Sequence, residues 1–224
     1  MTAPALRRLS VSDELAGLLR QRILDGDLPA GAPLREVELA DAYGVSRHTL
    51  RAALRTLATE GIVRIEANRG AEVSRLQPAD LAALFELRVA LELEAAHLAL
   101  ERNDGALPEP VHRALARLTS TCERARPSWR AVAEAHAGLH GAIVVAAASP
   151  RIEAAYASLS TELALFLVQL RPVWSLERMV SHHERLVAGL ERRGPEVLRG
   201  HLADGIDAVL AEPRTPSRLG SARP

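Results

Sequence analysis

Four histidines and a run of arginines carry the chemistry this chain could do. His136 and His140 stand four residues apart on the apolar stripe of Trp129, Val132, Leu139, Ile143 and Ala147, so a helix here turns both imidazoles inward. His183 falls on a second stripe, Leu176, Met179, Val180, Leu186, Val187 and Leu190, whereas its neighbour His182 points elsewhere. His201 shares a face with Leu198, Leu202, Gly205, Ile206 and Val209. Neutral imidazoles converging at about 2.0–2.1 Å on one divalent ion are ordinary zinc ligands. For each histidine taken singly, the competing reading is a hydrogen-bonded core residue. As a group, His136, His140 and His183, with His201 as a candidate fourth, are read as a site for a divalent transition metal such as zinc or nickel, since imidazole nitrogens disfavour calcium and magnesium.

The second feature lies near the start of the chain. From Tyr43 to Thr59 there is no acidic residue, while Arg47, His48, Arg51 and Arg55 fall within the segment. Leu50, Ala53, Leu54 and Leu57 form its inner side, leaving the cations outside. Ser46 is a natural N-cap and offers a phosphate contact at the positively polarised helix end. Arginine reads guanine edges in a major groove, and the bland counterpart is a solvated basic face. Formal net charge is zero, with 28 basic residues, all arginine, against 28 acidic ones, so any nucleic-acid partner must be met locally rather than by overall charge.

The elements that position these residues are mostly α. An amphipathic helix over 13–24 ends at Gly26, a short one follows from Arg35 to about Tyr43, and Gly44 separates it from the helix that Ser46 opens: a helix-turn-helix. Ile62, Val63 and Ile65, a turn at Ala67-Asn68-Arg69-Gly70, and Ala71 and Val73 make a β-hairpin wing. The expected fold is thus an amino-terminal winged helix-turn-helix over 11–76, a linker at 77–78, and an all-α six-helix bundle over 79–211. The bundle helices are placed at 79–102, 109–124, 128–148, 150–170, 174–192 and 195–211. Residues 1–10 and 212–224 read as disordered. Cys122 is the only cysteine, which excludes an internal disulfide framework and cysteine-based metal cradles. No stretch approaches the ~20 apolar residues of a membrane span, and no leader pattern opens the chain, so a cytoplasmic setting without membrane contact is expected.

The stretch from Ile23 to Val73 resembles the GntR family of bacterial regulators. It carries Asp25-Gly26-Asp27-Leu28, Leu34-Arg35-Glu36-Val37-Glu38-Leu39-Ala40, Gly44-Val45-Ser46-Arg47, Leu50-Arg51-Ala52-Ala53-Leu54, Glu60-Gly61 and Arg69-Gly70-Ala71 in order. The family's usual Thr-Pro-Val before the second arginine is His48-Thr49-Leu50 here, and its usual following Glu is Ala52. The resemblance implies a homodimer bound to double-stranded operator DNA, with contacts from Arg35, Ser46, Arg47, Thr49 and Arg51 and from Arg69 and Gly70 at the wing tip. Gly70 has an equal claim as a turn residue needing positive φ.

Phe85-Glu86-Leu87-Arg88, Leu91-Glu92 and Ala95-Ala96 resemble the start of the FCD effector domain of the FadR-like subgroup, in its shorter six-helix form. That implies a repressor, not an enzyme, released by a small carboxylate effector, with activation as the other direction. Metal-binding members use Asp and His four apart and a His on each of two later helices. On this pattern His136 replaces the Asp, His140 and His183 match, and Gly205 stands where the last His is expected, with His201 one turn earlier. Arg88 is then either the partner of an effector carboxylate or in a salt bridge with Glu86 or Glu92. The rival class, a metal-dependent hydrolase with an accessory DNA-binding module, needs a general base beside the metal, and no carboxylate falls near the three histidines in an evident catalytic motif, Glu134 and Glu184 being adjacent in sequence but on other faces.

Overall fold

The computed structural model describes residues 10–66 and 69–211, and the chain divides after Arg75 into two compact units. The expected disorder at 1–9 and 212–224 and the turn residues Ala67 and Asn68 lie outside the described residues. Ser10, read as part of a disordered start, is instead the N-cap of α1 (Val11–Leu24): its hydroxyl accepts from Asp13 N–H while the Asp13 carboxylate accepts from Ser10 N–H.

The first unit continues with β1 (Pro33–Leu34), α2 (Glu36–Tyr43), α3 (Arg47–Thr59), β2 (Val63–Glu66) and β3 (Gly70–Val73). Gly44 ends α2 in the left-handed region at φ 63°, a conformation that glycine adopts without Cβ strain. Leu15, Leu19 and Ile23 from α1 and Leu50, Leu54 and Leu57 from α3 meet Leu34, Val63 and Val73 in one closed core. Leu18, on the same helix, is exposed. The wing is not a simple hairpin. β1 joins it on the far side of β3, giving the antiparallel order β1-β3-β2 with Leu34 opposite Ala71 and Ile65 opposite Ala71. Two residues are too few to show an alternating pattern, so β1 has no period by which it could be recognised.

The second unit contains α4 (Pro78–Arg102), α5 (Glu109–Cys122), α6 (Trp129–Ala146), α7 (Pro150–Ala157), α8 (Ser160–Leu170), α9 (Leu176–Arg193) and α10 (Val197–Ala211). The expected six helices are seven among the described residues, because the 150–170 segment breaks at Ser158-Leu159. There the Ser158 hydroxyl donates to the Ala155 carbonyl at 2.6 Å, a side-chain bond that competes with the helical ladder. α6 packs against both α4 and α5, with Val132, Leu139, Ile143 and Ala147 fully buried against Ala95, Ala96, Ala99, Val111 and Leu118. Small alanines on α4 let the helices approach closely enough to enclose polar side chains between them. No helix among the described residues is long and apolar enough to cross a membrane.

Candidate functional site

Two features meet the chemistry expected from the residues, one in each unit. In the first, Ser46 caps α3 through a 3.1 Å bond from Thr49 N–H, and its hydroxyl lies 2.9 Å from that of Thr49. Leu50, Ala53, Leu54 and Leu57 face the core, while Arg47, His48, Arg51 and Arg55 are exposed. Arg51 Nε donates to Glu36 Oε2 at 2.8 Å, and Arg35 pairs with Glu38 at 2.9 Å. At the wing, Arg69 is exposed and pairs with Glu66 at 3.2 Å. Gly70 sits at φ 86° with nothing within 4 Å of the position a Cβ would take, so its turn conformation accounts for the glycine on structural grounds.

In the second unit His136, His140 and His183 come together. One nitrogen from each lies within 4.8 Å of the other two, and all three rings are buried. His183 Nδ1 donates to the Met179 carbonyl at 2.6 Å, one turn back on α9. His140 Nδ1 donates to Glu92 Oε2 at 2.7 Å. Each ring therefore carries its proton on the far nitrogen, and the two Nε2 lone pairs face each other across 3.3 Å. Two lone pairs so placed repel unless a cation stands between them. Two nitrogens sharing a tetrahedral ion at about 2.0–2.1 Å lie about 3.3–3.4 Å apart, so the separation fits the expected group. Burial, with the charge of the neighbouring imidazoles, holds His136 and His183 well below the ordinary imidazole range, and so neutral.

Glu92 is the residue that sequence reasoning left out of the site. The sequence offers it only as a salt-bridge partner for Arg88, 44 positions or more from each of the three histidines. In the fold it spans both: Oε1 accepts from Arg88 Nε at 2.7 Å and Oε2 from His140. Burial alone would raise its carboxyl, but Arg88 and His140 outweigh that and hold it at about 2. Of the two readings of Arg88, the ion pair is the geometry present, with Glu92 and not Glu86. Both partners are almost wholly buried, and burial together with the Glu92 charge pushes the neighbouring Tyr156 hydroxyl upward against the opposing effect of Arg88. Because Glu92 lies behind His140 and is bound to a guanidinium, it orients the ring and is not placed as a general base. The hydrolase reading thus gains nothing from it.

His182, expected to point away, is buried and stacks on His201 with ring centroids 4.1 Å apart, its Nε2 donating to the His201 carbonyl at 3.1 Å. The signal was present: His182 lies four residues before Leu186 and seven before Gly189, a stripe of its own. His201 borders the cluster, its ring centroid 4.8 Å from that of His183 and 5.3 Å from that of His140, and its Nδ1 is buried without a partner. Burial holds His201 well below the usual range as well. At Gly205, where the resemblance sets a further His, an added Cβ would come within 3.3 Å of Phe166 Cζ. The Phe166 ring occupies the room such a side chain needs. Trp174 also lines the cavity, its indole N–H buried without an acceptor. The space between these side chains measures about 10 Å³, the room of a single ion or water.

A capped reading helix beside a wing, and a helical bundle closing on buried imidazoles, define a winged-helix DNA-binding regulator with a helical sensor domain. Residues 11–73 match the family described as bacterial regulatory proteins, gntR family, and residues 83–207, over half of the chain, match the FCD domain. The chain belongs to the GntR family of transcription regulators, in the branch carrying an FCD domain. It is 29% identical over 209 residues to the probable D-xylose utilization operon transcriptional repressor of Paenarthrobacter nicotinovorans, covering 93% of this chain and 91% of that protein. Its first part is 37% identical over 87 residues to the gluconate operon transcriptional repressor of Bacillus licheniformis, covering 39% of this chain and 35% of the other. A GntR regulator structure from Rhodococcus sp. RHA1 superposes with a TM-score of 0.65 at 26% identity, covering 92% of this chain and all of that one.

Proposed function

We propose that the chain acts in the cytoplasm as a homodimeric repressor without enzymatic activity, placing two copies of α3 in successive major grooves of a roughly two-fold operator. The DNA-binding part is the first unit, through Arg75, and the dimerisation and sensing part is the second; the expected linker at 77–78 is instead the start of α4, with Gln77 as its N-cap and Pro78 in its first turn. Arg47 and Arg51 read base edges. Ser46, Thr49 and Arg35 contact phosphates, and Arg69 with Gly70 brings the wing to the neighbouring backbone. The observation that carries this reading is the exposed face of Arg47, His48, Arg51 and Arg55 on a helix whose opposite side is fully buried. The test is fluorescence anisotropy with an operator selected from random duplexes. Tight binding by the full chain and at least ten-fold weaker binding by Arg51→Ala support it, while equal affinities overturn it.

In the bundle, His136, His140 and His183 hold a divalent transition metal, zinc or nickel, with His201 beside them as the candidate fourth ligand. When bound, the metal supplies a Lewis-acidic centre that ties α6 to α9 and favours anionic ligands. The chain's own contribution is orientation: Glu92 and the Met179 carbonyl fix the tautomers of His140 and His183 before any ion arrives. Elemental analysis of the purified protein should return about one metal per chain, falling to background in His140→Ala. A metal-free wild-type protein that also fails to take up zinc or nickel would remove this part of the reading. A small organic acid is the effector class, acting by binding one DNA-reading arrangement of the dimer more tightly than another.

A further inference from the structure

The histidine cavity is small, and its one guanidinium, Arg88, is already engaged by Glu92. Beside it, between α9 and α10, lies an open cleft of about 340 Å³, within the range of small-ligand sites. The facing stripes are complementary. α9 contributes His182, Arg185, Leu186 and Arg193, and α10 contributes Val197, Gly200, His201 and Asp204. Gly200 offers no side chain, which keeps the middle of the cleft open.

Arg185 and Arg193 stand in no ion pair among the described residues, whereas of the cleft's acidic groups Glu196 is answered by Arg199 at 2.8 Å; Asp204 lies at the exposed edge, 3.9 Å from a His182 whose burial disfavours its charged form. Arg193 is laid back across α9 over Gly189, where an added Cβ would come within 3.1 Å of its guanidinium. The absence of a side chain at 189 is what lets that cation lie along the cleft. His201 belongs to the wall of both the cleft and the metal cavity, and its buried Nδ1 has no partner from the protein.

We infer that the α9–α10 cleft is an anion site, in which Arg185 and Arg193 bind a small carboxylate or phosphate outside the histidine cavity, with His201 as the shared wall. The inference deepens the proposed sensing role and rests on it only for the consequence that occupancy reaches the histidine cluster. Binding itself stands on the two arginines. Because α9 carries His183 and α10 carries His201, an anion spanning the cleft restrains the two helices that line the cavity from that side.

The experiment is isothermal titration calorimetry of the purified full chain with succinate, gluconate and inorganic phosphate as separate probes, with metal content and melting temperature measured for every variant. Saturable binding of at least one probe is expected, with the carboxylates and phosphate separating the two sources of anionic oxygen. Arg185→Gln and Arg193→Gln should each weaken it ten-fold or more at unchanged melting temperature and metal content. Gly200→Leu, which fills the cleft without altering charge, should abolish it. His140→Ala should lose metal and keep anion binding, which separates this site from the metal reading. Loss of anion binding in His140→Ala with full binding in both arginine variants places the anion in the histidine cavity and overturns the inference. So does the lack of saturable binding by all three probes.

Discussion

Glu92 holds His140 from behind, its Oε2 2.7 Å from the imidazole Nδ1, with both side chains 1% exposed. The same carboxylate neutralises Arg88 one turn away on α4, so a single residue joins a buried ion pair to the cluster read as a metal site. A carboxylate behind a ligating histidine fixes its tautomer and raises its basicity.

Replacing Glu92 with Gln should therefore act on two quantities at once. Arg88 is left buried without its counter-charge, which costs roughly 3–5 kcal/mol of stability. His140 loses the acceptor that fixes its proton, and metal affinity should fall about 10- to 100-fold. Urea denaturation and a competitive zinc titration measure the two separately. An unchanged melting curve would show that the pair contributes nothing to folding.

The neutral, buried histidines predict a stability that depends on pH. His136, His183 and His201 all have imidazoles lowered well below 6.5 by burial and by neighbouring imidazoles. The unfolded chain takes up protons below about pH 6.5 while the folded one does not, so stability is complete above that pH and declines as the pH falls toward the folded values. Each such histidine contributes a slope of up to about 1.4 kcal/mol per pH unit. Glu92, at about 2, works in the same direction only below the ordinary carboxylate range near 4.5. Urea midpoints of chelator-treated protein between pH 8 and 5 should fall on the acid side. A flat profile contradicts the neutral cluster.

Arg51 is held by Glu36 at 2.8 Å on the surface, a pair worth at most about 1 kcal/mol and so readily given up to DNA. Glu36→Gln should free the guanidinium and remove a repelling charge, strengthening operator binding a few-fold. Arg51→Ala should weaken binding by roughly 1–3 kcal/mol and relax sequence preference at one position, whereas Arg69→Ala should weaken all sequences alike and reduce the salt slope by about one. Anisotropy titrations at several salt concentrations distinguish these outcomes.

Phe166 and Gly205 should behave as a fitted pair. With 3.3 Å between an added Cβ and the ring, Gly205→Ala overpacks the cavity wall and should cost about 1–3 kcal/mol. Phe166→Leu in the same chain should recover part of that loss, which thermal unfolding of the single and double variants will show. Additive losses would mean that the ring can yield freely.

Much of this protein is legible in its sequence because local patterns determine it. Ser46 and Gly44 bracket the turn of the helix-turn-helix through capping and a left-handed end, and the 3.6-residue stripes placed His136, His140 and His183 on buried faces. Those features depend on neighbours a few residues away. The remainder depends on residues that share no pattern. β1 is two residues long and exists only because β3 offers it an edge. Ser158 breaks a helix by a bond to the Ala155 carbonyl, and Phe166 fills the space at Gly205. His182 turned inward because α10 lies there to receive it. Glu92 and His140 are 48 positions apart on different helices, and only the crossing of α4 with α6 makes one hold the other. Helical periodicity says which face of a helix is buried, and tertiary packing alone decides which side chain waits on the other side.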